Sequence, residues 1–545
     1  MTTTLQNSSE ALTSLFVEEN QIPEAFRIEP VHQREYLCNG EMKKWDGPVQ
    51  EVYSPIYTTQ SGELKRVLLG SYPIMSHKEA MESLDAAVKA YDNGLGEWPT
   101  MRVSDRIKCM EKFVFKMIEQ RELVIKLLMW EIAKSYADAA KEFDRTVVYI
   151  KDTIDALKDT DRQSSRFEIK EGYVAQIRRS PLGVVLSMGP FNYPLNETFT
   201  TLIPAIIMGN TVVFKTPKLG VLLFYPLLKA FQESFPKGVI NNLYGRGAEI
   251  TPTLMQTGKI NVLAFIGSSK VANELKKQHP RVNRLRAVLS LDAKNAAIVT
   301  RNANLQLAVN ECISGALSYN GQRCTALKII FVHRSVADQF LEKLNAAVDK
   351  LQIGLPWTNN VQITPVAEAS KPAYLQACIE DAIAKGAKVV NNNGGAMSAS
   401  FVKPAVVYPV NAEMRLYHEE QFGPIIPVVP FDEVQQVVEY QVNATHGMQV
   451  SIFSEDAKEL ASLIDPFVNL VARVNINTSC QRGPDTFPFT GRKDSAEGTL
   501  SVSDALRSFS IRSLVATKMT DDSKQLLNEI VNNRDSNFLS TDFIF

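Results

Sequence analysis

Cysteine is scarce in this sequence and never paired. Six thiols (Cys38, Cys109, Cys312, Cys324, Cys378 and Cys480) are scattered over 545 residues without a CxxC, which excludes a disulfide framework and points to a reducing compartment. An excess of one charge is lacking too: 59 basic against 60 acidic side chains leave −1, against a globally basic nucleic-acid binder. No stretch reaches the roughly 18 unbroken apolar residues of a membrane helix; the best, Pro181 to Phe214, is broken by Asn192, Asn196, Glu197 and Asn210. The opening MTTTLQNSSEALTSLF has neither the basic start of a secretory leader nor the arginines of a transit peptide. HExxH, GxxxxGK[ST], GxSxG and EF-hand patterns are absent, and six scattered histidines have no metal-ligand spacing. With 27 glycines and 26 prolines the chain is neither collagen-like nor disordered throughout. These absences leave a cytoplasmic globular protein, large enough to bury its own core, without metal, nucleic-acid or membrane partner.

The pattern along the chain is that of alternating strands and helices. The first 60 or so residues, with Pro23, Pro30, Pro48 and Pro55, read as irregular. Ser76 to Glu79 forms a capping box for a helix that stops at Asp92-Asn93-Gly94. Helical spacing then continues to about Leu157. Residues 166–179 read as a polar hairpin turning at Glu171-Gly172. Short apolar runs at Gly183–Met188, Thr211–Phe214, Asn261–Ile266 and Ala287–Leu291 then alternate with helices, the signature of a parallel α/β sheet. A second alternating block, with helices near 304–318, 335–350 and 370–385, places a boundary near Thr300. The tail from Thr520 is polar and reads as a surface extension.

Few residues here suggest chemistry by themselves. Cys312 keeps helical register with Leu305, Ala308, Val309 and Ala316, so it reads as core. Cys324 follows a break at Asn320-Gly321 and lies beside Arg323, a setting that favours a thiolate; nucleophile and buried loop cysteine remain equal readings. Gly245-Arg246-Gly247 lacks the third glycine of a dinucleotide fingerprint. Phe265-Ile266-Gly267-Ser268-Ser269 ends a strand and opens a helix, where backbone N–H groups can meet a phosphate.

Five segments occur together in order: Pro190-Phe191-Asn192-Tyr193-Pro194, Phe214-Lys215, Phe265-Ile266-Gly267-Ser268, Gly321-Gln322-Arg323-Cys324 and Glu419-Glu420-Gln421-Phe422-Gly423-Pro424. The set resembles the aldehyde dehydrogenase superfamily over roughly residues 80 to 515. That resemblance implies a parallel-sheet cofactor domain (1–165 and 180–300), an α/β catalytic domain (301–499), an oligomerisation ribbon (166–179 with 500–517) and a tail (518–545), assembled as a homodimer or homotetramer. It makes Cys324 the nucleophile, with Asn192 and the cysteine's own N–H as oxyanion donors. It assigns Lys215, Gly267, Ser268, Glu420 and Phe422 to the cofactor. Lys218 stands where NAD-preferring members carry a glutamate, so NADP is expected, with NAD the lesser alternative. Gln481-Arg482-Gly483-Pro484-Asp485 and the Gln322-Arg323-Cys324 segment resemble the non-phosphorylating glyceraldehyde-3-phosphate dehydrogenases, in which Arg323, Arg482 and Tyr193 would hold the phosphorylated substrate. Arg102 or Arg106 is the expected further arginine from the early helices.

One departure stands out. The usual Glu-Leu-Gly-Gly-Lys reads Ser290-Leu291-Asp292-Ala293-Lys294 here, so the base that activates the deacylating water is missing. A hydroxyl without a partner cannot replace it near neutral pH; Asp292, on the same strand face, is the nearest carboxylate. Two alternatives follow: a general aldehyde dehydrogenase with structural arginines, or a dinucleotide-binding protein of this fold that has lost catalysis.

Overall fold

A computed structural model describes residues 2–542 and residue 544. The first 60 residues are more ordered than their prolines suggest. Strands β1 (Val49–Gln60) and β2 (Glu63–Pro73) form a long antiparallel hairpin, because Pro55 lies at the register irregularity between Tyr53 and Tyr57, where no ladder bond is needed.

Helix α1 (His77–Tyr91) starts at the predicted box: the Ser76 amide donates to Glu79 at 2.8 Å, and the Ser76 hydroxyl accepts from Lys78. It ends where Asp92 and Asn93 turn left-handed. Helices α2 (Val103–Ile118), α3 (Arg121–Ile132) and α4 (Tyr136–Ser164) follow. Strands β3 (Phe167–Lys170) and β4 (Tyr173–Pro181) turn at Glu171-Gly172, both at positive φ, as a two-residue hairpin requires.

Next come β5 (Val184–Met188), α5 (Asn196–Ile207), β6 (Thr211–Lys215), α6 (Tyr225–Ser234), β7 (Ile240–Leu243), α7 (Gly247–Gln256), β8 (Val262–Ile266), α8 (Ser269–Gln278) and β9 (Arg286–Ser290). Their sheet order is β7-β6-β5-β8-β9, all parallel. Strands β5, β6 and β8 are buried along their whole length, which is why they read as unbroken apolar runs. The order reverses between β5 and β8, and ligands of such sheets bind outside the carboxyl ends of the strands at this switch point.

The second block contributes β10 (Asn295–Val299), α9 (Leu305–Leu317), β11 (Leu327–His333), α10 (Ala337–Val348) and α11 (Lys371–Ala384). They are followed by β12 (Lys388–Val389), β13 (Ala405–Tyr408), β14 (Ile425–Phe431), β15 (Gln449–Phe453) and β16 (Arg473–Ile476). Its sheet runs β12-β13-β14-β11-β10-β15-β16, parallel except at β12. Cys312 is core on α9, as its register predicts. A short strand β17 (Ala496–Glu497) closes the first sheet antiparallel to β9, and β18 (Ser510–Lys518) pairs with β4 along its whole length. The tail differs from a simple extension. Helix α12 (Asp521–Asn533) leads into a segment that returns to the body, where Asn537 accepts from Arg102 at 2.8 Å and Ser540 exchanges hydrogen bonds with Gln176. Among the described residues no helix is long and apolar enough to cross a membrane, and no cluster suits a metal ion.

Candidate active site

The segment between α9 and β11 presents Cys324. Tyr319, Asn320 and Gly321 are successively left-handed, at φ 49°, 56° and 71°. A Cβ on Gly321 would lie 2.7 Å from the Ala316 carbonyl oxygen and 2.8 Å from that of Gly423, so only glycine fits. Two buried side chains then hold the turn. Asn295 Nδ2 donates to the carbonyls of Cys324 (2.8 Å) and Ala326 (3.0 Å), and Lys328 Nζ donates to the Cys324 carbonyl at 2.7 Å.

Asn192 lies on the β5–α5 connection, 5% exposed, with Nδ2 donating to the Gln322 carbonyl at 2.9 Å. One amide hydrogen is thus committed to the cysteine turn, and the other has no acceptor among the described residues. Beneath the loop lies an ion pair that sequence reasoning missed. Fully buried Lys134 pairs with Glu142, donates to the Asn192 carbonyl at 2.9 Å and stands 3.4 Å from the Tyr193 ring centroid. Glu142 accepts in turn from the amides of Leu195 and Asn196, both at 3.1 Å. This clamp fixes the loop from below. An isolated buried lysine would have been costly, and only the i, i+8 separation across the α3–α4 junction hinted at the pair.

Burial pushes the Cys324 thiol up to about 11; Glu197 and Glu420 push it the same way, and Lys328 and Arg482 pull it down. The neighbouring arginine does not have its expected part here. Arg323 turns away from the thiol and donates Nη2 to the Ser314 and Gly315 carbonyls, so the cations at the sulfur come from β11 and from the 481–485 segment. Because the thiol stays protonated at neutral pH, alkylation of the cofactor-free enzyme by iodoacetamide should accelerate about tenfold per pH unit from 7 to 10. A rate that levels off near pH 7 would contradict this environment.

The residues expected to meet a cofactor gather at the carboxyl ends of β5, β6, β8 and β9. Lys215 ends β6, is 7% exposed and donates only to the Thr216 carbonyl, at 2.7 Å. Burial lowers its ammonium to about 8, and it has no carboxylate partner among the described residues. Lys218 stands exposed at the rim. Gly267 and Ser268 join β8 to α8, and the Ser268 hydroxyl accepts from Val271 N–H as the cap. Glu420 accepts from Lys328 at 2.9 Å and from the Ala293 amide at 3.2 Å, and Phe422 packs edge-on against Phe191. Lys294 Nζ anchors this loop through the Glu419 carbonyl and Gln421 Oε1.

Ser290 ends β9, 3% exposed. Asp292 does not lie free beside the thiol: its Oδ2 accepts from both the amide (2.8 Å) and the hydroxyl (2.7 Å) of Ser269 at the start of α8.

On the other side of Cys324 lies the arginine group. Arg482, 6% exposed, pairs with Glu197, donates Nε to Asp485 at 3.2 Å and covers the Phe489 ring at 4.4 Å. The arginine that joins it from the early helices is Arg145 of α4, bidentate to Asp485 at 2.9 and 2.7 Å. Neither expected candidate takes that place. Arg102 holds Asn537 and the Arg534 carbonyl, and Arg106 is buried in the charge field of Asp161 and Arg178. Arg145 escaped detection because its partner Asp485 is 340 residues away. Burial raises the Tyr193 hydroxyl, against which Arg323 and Arg145 both pull.

Comparison with known proteins agrees with this geometry. The aldehyde dehydrogenase family model matches residues 64–515. An NADP-dependent glyceraldehyde-3-phosphate dehydrogenase of Streptococcus equinus is 32% identical over 90% of this chain and 98% of its own length. A lactaldehyde dehydrogenase of Methanococcus aeolicus is 26% identical over 79% of this chain and 90% of its own length. The crystal structure of the NADP-dependent glyceraldehyde-3-phosphate dehydrogenase of Bacillus halodurans, complexed with NADP, superposes with a TM-score of 0.81 at 30% identity, covering 90% of this chain and 100% of the other. A thiol in a left-handed turn, an amide bonded to that turn, a parallel sheet with its switch point beside it and a match over most of the chain lead to one conclusion: this protein belongs to the aldehyde dehydrogenase family and is an oxidoreductase acting on aldehydes.

Proposed function

We propose that the protein oxidises glyceraldehyde 3-phosphate to 3-phosphoglycerate with reduction of NADP, through a thioester on Cys324. The observation that carries this reading is the meeting of Arg145 and Arg482 on Asp485, with Arg482 close enough to Cys324 to pull its thiol down, since guanidinium forks bind phosphate oxygens in pairs. The relatives named for the same activity support it.

NADP is the cofactor, and the residues present fit it. Lys215 is a buried ammonium without a carboxylate partner among the described residues, and Lys218 puts a second cation where a glutamate would repel a 2′-phosphate. Ser268 and the first turn of α8 would hold the diphosphate; Glu420 and Phe422 would flank the nicotinamide end. When bound, NADP supplies the hydride acceptor.

The protein's own part starts at the sulfur. Cys324 gives its proton to solvent water and its sulfur adds to the aldehyde carbon, while Asn192 Nδ2 and the Cys324 N–H donate to the oxygen that gains the electron pair. When that oxygen re-forms the carbonyl, the hydride departs and a thioester remains on Cys324. Water then releases the carboxylate and restores the thiol. The first sheet with its helices serves as the cofactor domain and the second carries the nucleophile. Ile169, Tyr173, Ile511 and Leu514, half or more exposed on the β3-β4-β18 ribbon, are the contact surface of a homodimer or homotetramer. Six free thiols suit a cytoplasmic setting.

A panel of aldehydes with NADP tests the substrate. Glyceraldehyde 3-phosphate should exceed glyceraldehyde in kcat/KM by at least about 100-fold, the weight of lost charge-assisted hydrogen bonds. Equal values would instead favour a general aldehyde dehydrogenase, the reading favoured by the carboxylates already bound to Arg482.

A further inference from the structure

The arginine group contains its own anions. Glu197 lies in the first turn of α5, five residues after Asn192, with its amide bonded to the Tyr193 carbonyl at 3.0 Å. It is 5% exposed on a helix whose every residue is buried. A carboxylate there is tolerated because Arg482 pairs with it and because it faces the positive end of α5. Arg482 has five N–H donors. Nη1 serves Glu197, Nε serves Asp485 and Nη2 serves the Leu500 carbonyl at 3.3 Å, while Phe489 covers one face of the guanidinium.

Resting on the reading that this group receives a phosphate, we propose that Glu197 is a specificity-determining residue: it competes with the substrate's phosphate for Arg482, and must yield that contact when a phosphorylated aldehyde binds. Arg145 and Arg482 against Glu197 and Asp485 leave no net positive charge for a phosphate dianion. The guanidinium edge that could give a phosphate its paired hydrogen bonds already has a carboxylate on it. A phosphate on that edge would bring like charges together, which costs several kcal/mol when uncompensated. Proximity to the reacting centre is independent of this count. Of the charged groups around Cys324, Glu197 has the largest effect, pushing the thiol up, and Arg482 opposes it. The pair therefore lies within the field of the thiol rather than at a remote surface. Asp485 does not play the same part, because Arg145 holds both of its oxygens.

The test compares selectivity, kcat/KM for glyceraldehyde 3-phosphate divided by that for glyceraldehyde, in the native enzyme, in Glu197→Gln and in Glu197→Leu. In both variants Arg482 keeps its contact with Asp485, which it shares with Arg145, so neither leaves Arg482 without a carboxylate. Selectivity should rise at least about tenfold in each, mainly through a lower KM for the phosphorylated substrate, and inorganic phosphate should become a tighter competitive inhibitor. If the native enzyme discriminates and both variants leave selectivity unchanged or lower, the proposal is overturned. If the native enzyme itself shows a ratio near one, the phosphate reading has failed instead. Should one variant not fold, the other decides.

Discussion

Stopped-flow mixing of the enzyme with NADP and glyceraldehyde 3-phosphate is expected to give a burst of NADPH matching the active sites, followed by slow turnover, and Ser290→Glu is expected to raise the slow phase by about 10² to 10⁴-fold. In the proposed mechanism acylation uses Cys324 and Asn192, and the Asn192 amide is bonded to the Cys324 turn. Deacylation needs a base for water, and the position that supplies it in related enzymes carries a buried hydroxyl. The neighbouring carboxylates are all engaged. Asp292 accepts two hydrogen bonds from Ser269, Glu420 accepts from Lys328 and the Ala293 amide, and Glu197 is bound to Arg482. Each donor or cation on these carboxylates favours the ionised form and makes it a weaker base for water than an unpaired glutamate. Ser290→Ala should leave the slow phase within about twofold of native, because a hydroxyl is no base at neutral pH. Fast sustained turnover in the native chain would show that one of these carboxylates serves as the base, and Asp292→Asn would then identify or exclude Asp292.

The parts of this molecule that could be read from its sequence are those where local chemistry and tertiary structure agree. Strands β5, β6 and β8 are buried along their whole length, so their apolar runs had no competing reading, whereas β7, with Asn241 and Asn242 buried in it, carries no such run and went unread. The capping box at Ser76 and the turn at Glu171-Gly172 are local devices, visible in a few residues. The long β1–β2 hairpin was hidden because Pro55 sits at an irregularity in its ladder, where a proline does no harm but breaks the pattern. Site residues divide the same way. Cys324, Asn192, Lys215 and Glu420 belong to motifs, and the structure ties Asn192 to the turn before Cys324 and Glu420 to the segment after β9. Arg145, Glu197 and the Lys134–Glu142 pair belong to none. Their meaning comes from partners distant in the chain: Asp485 and Arg482 in the first two cases, the Asn192 loop in the third. The reading of Arg323 as the cation beside the Cys324 thiol failed for a related reason. Adjacency in sequence places two side chains on the same turn, but the chain's path decides which way each points, and this guanidinium points to α9.

Asn192→Ala should lower the burst rate by about 10² to 10³-fold, the usual cost of losing one oxyanion donor, while the affinity for NADP, read by fluorescence titration, stays within about twofold. The amide does two jobs in this structure. One hydrogen ties the β5–α5 connection to the Gln322 carbonyl, and with it to the turn that presents the thiol; the other is free for the oxygen of the tetrahedral intermediate. Alanine removes both, so the rate loss alone does not separate stabilisation from positioning. Asn192→Asp does. Its carboxylate is close to isosteric with the amide but brings negative charge and no donor to the place where the oxyanion forms, and acylation should fall further than in Asn192→Ala. The clamp beneath supplies the second control. Glu142→Gln keeps the shape of the pair but leaves the buried Lys134 ammonium without its counter-ion, so the loop loses its anchor while Asn192 keeps both hydrogens. A burst slowed by Glu142→Gln with unchanged NADP affinity would show that the donor's position matters as well as its presence. A burst as fast as native in Asn192→Ala would remove Asn192 from the chemistry and leave the Cys324 backbone N–H as the donor to account for.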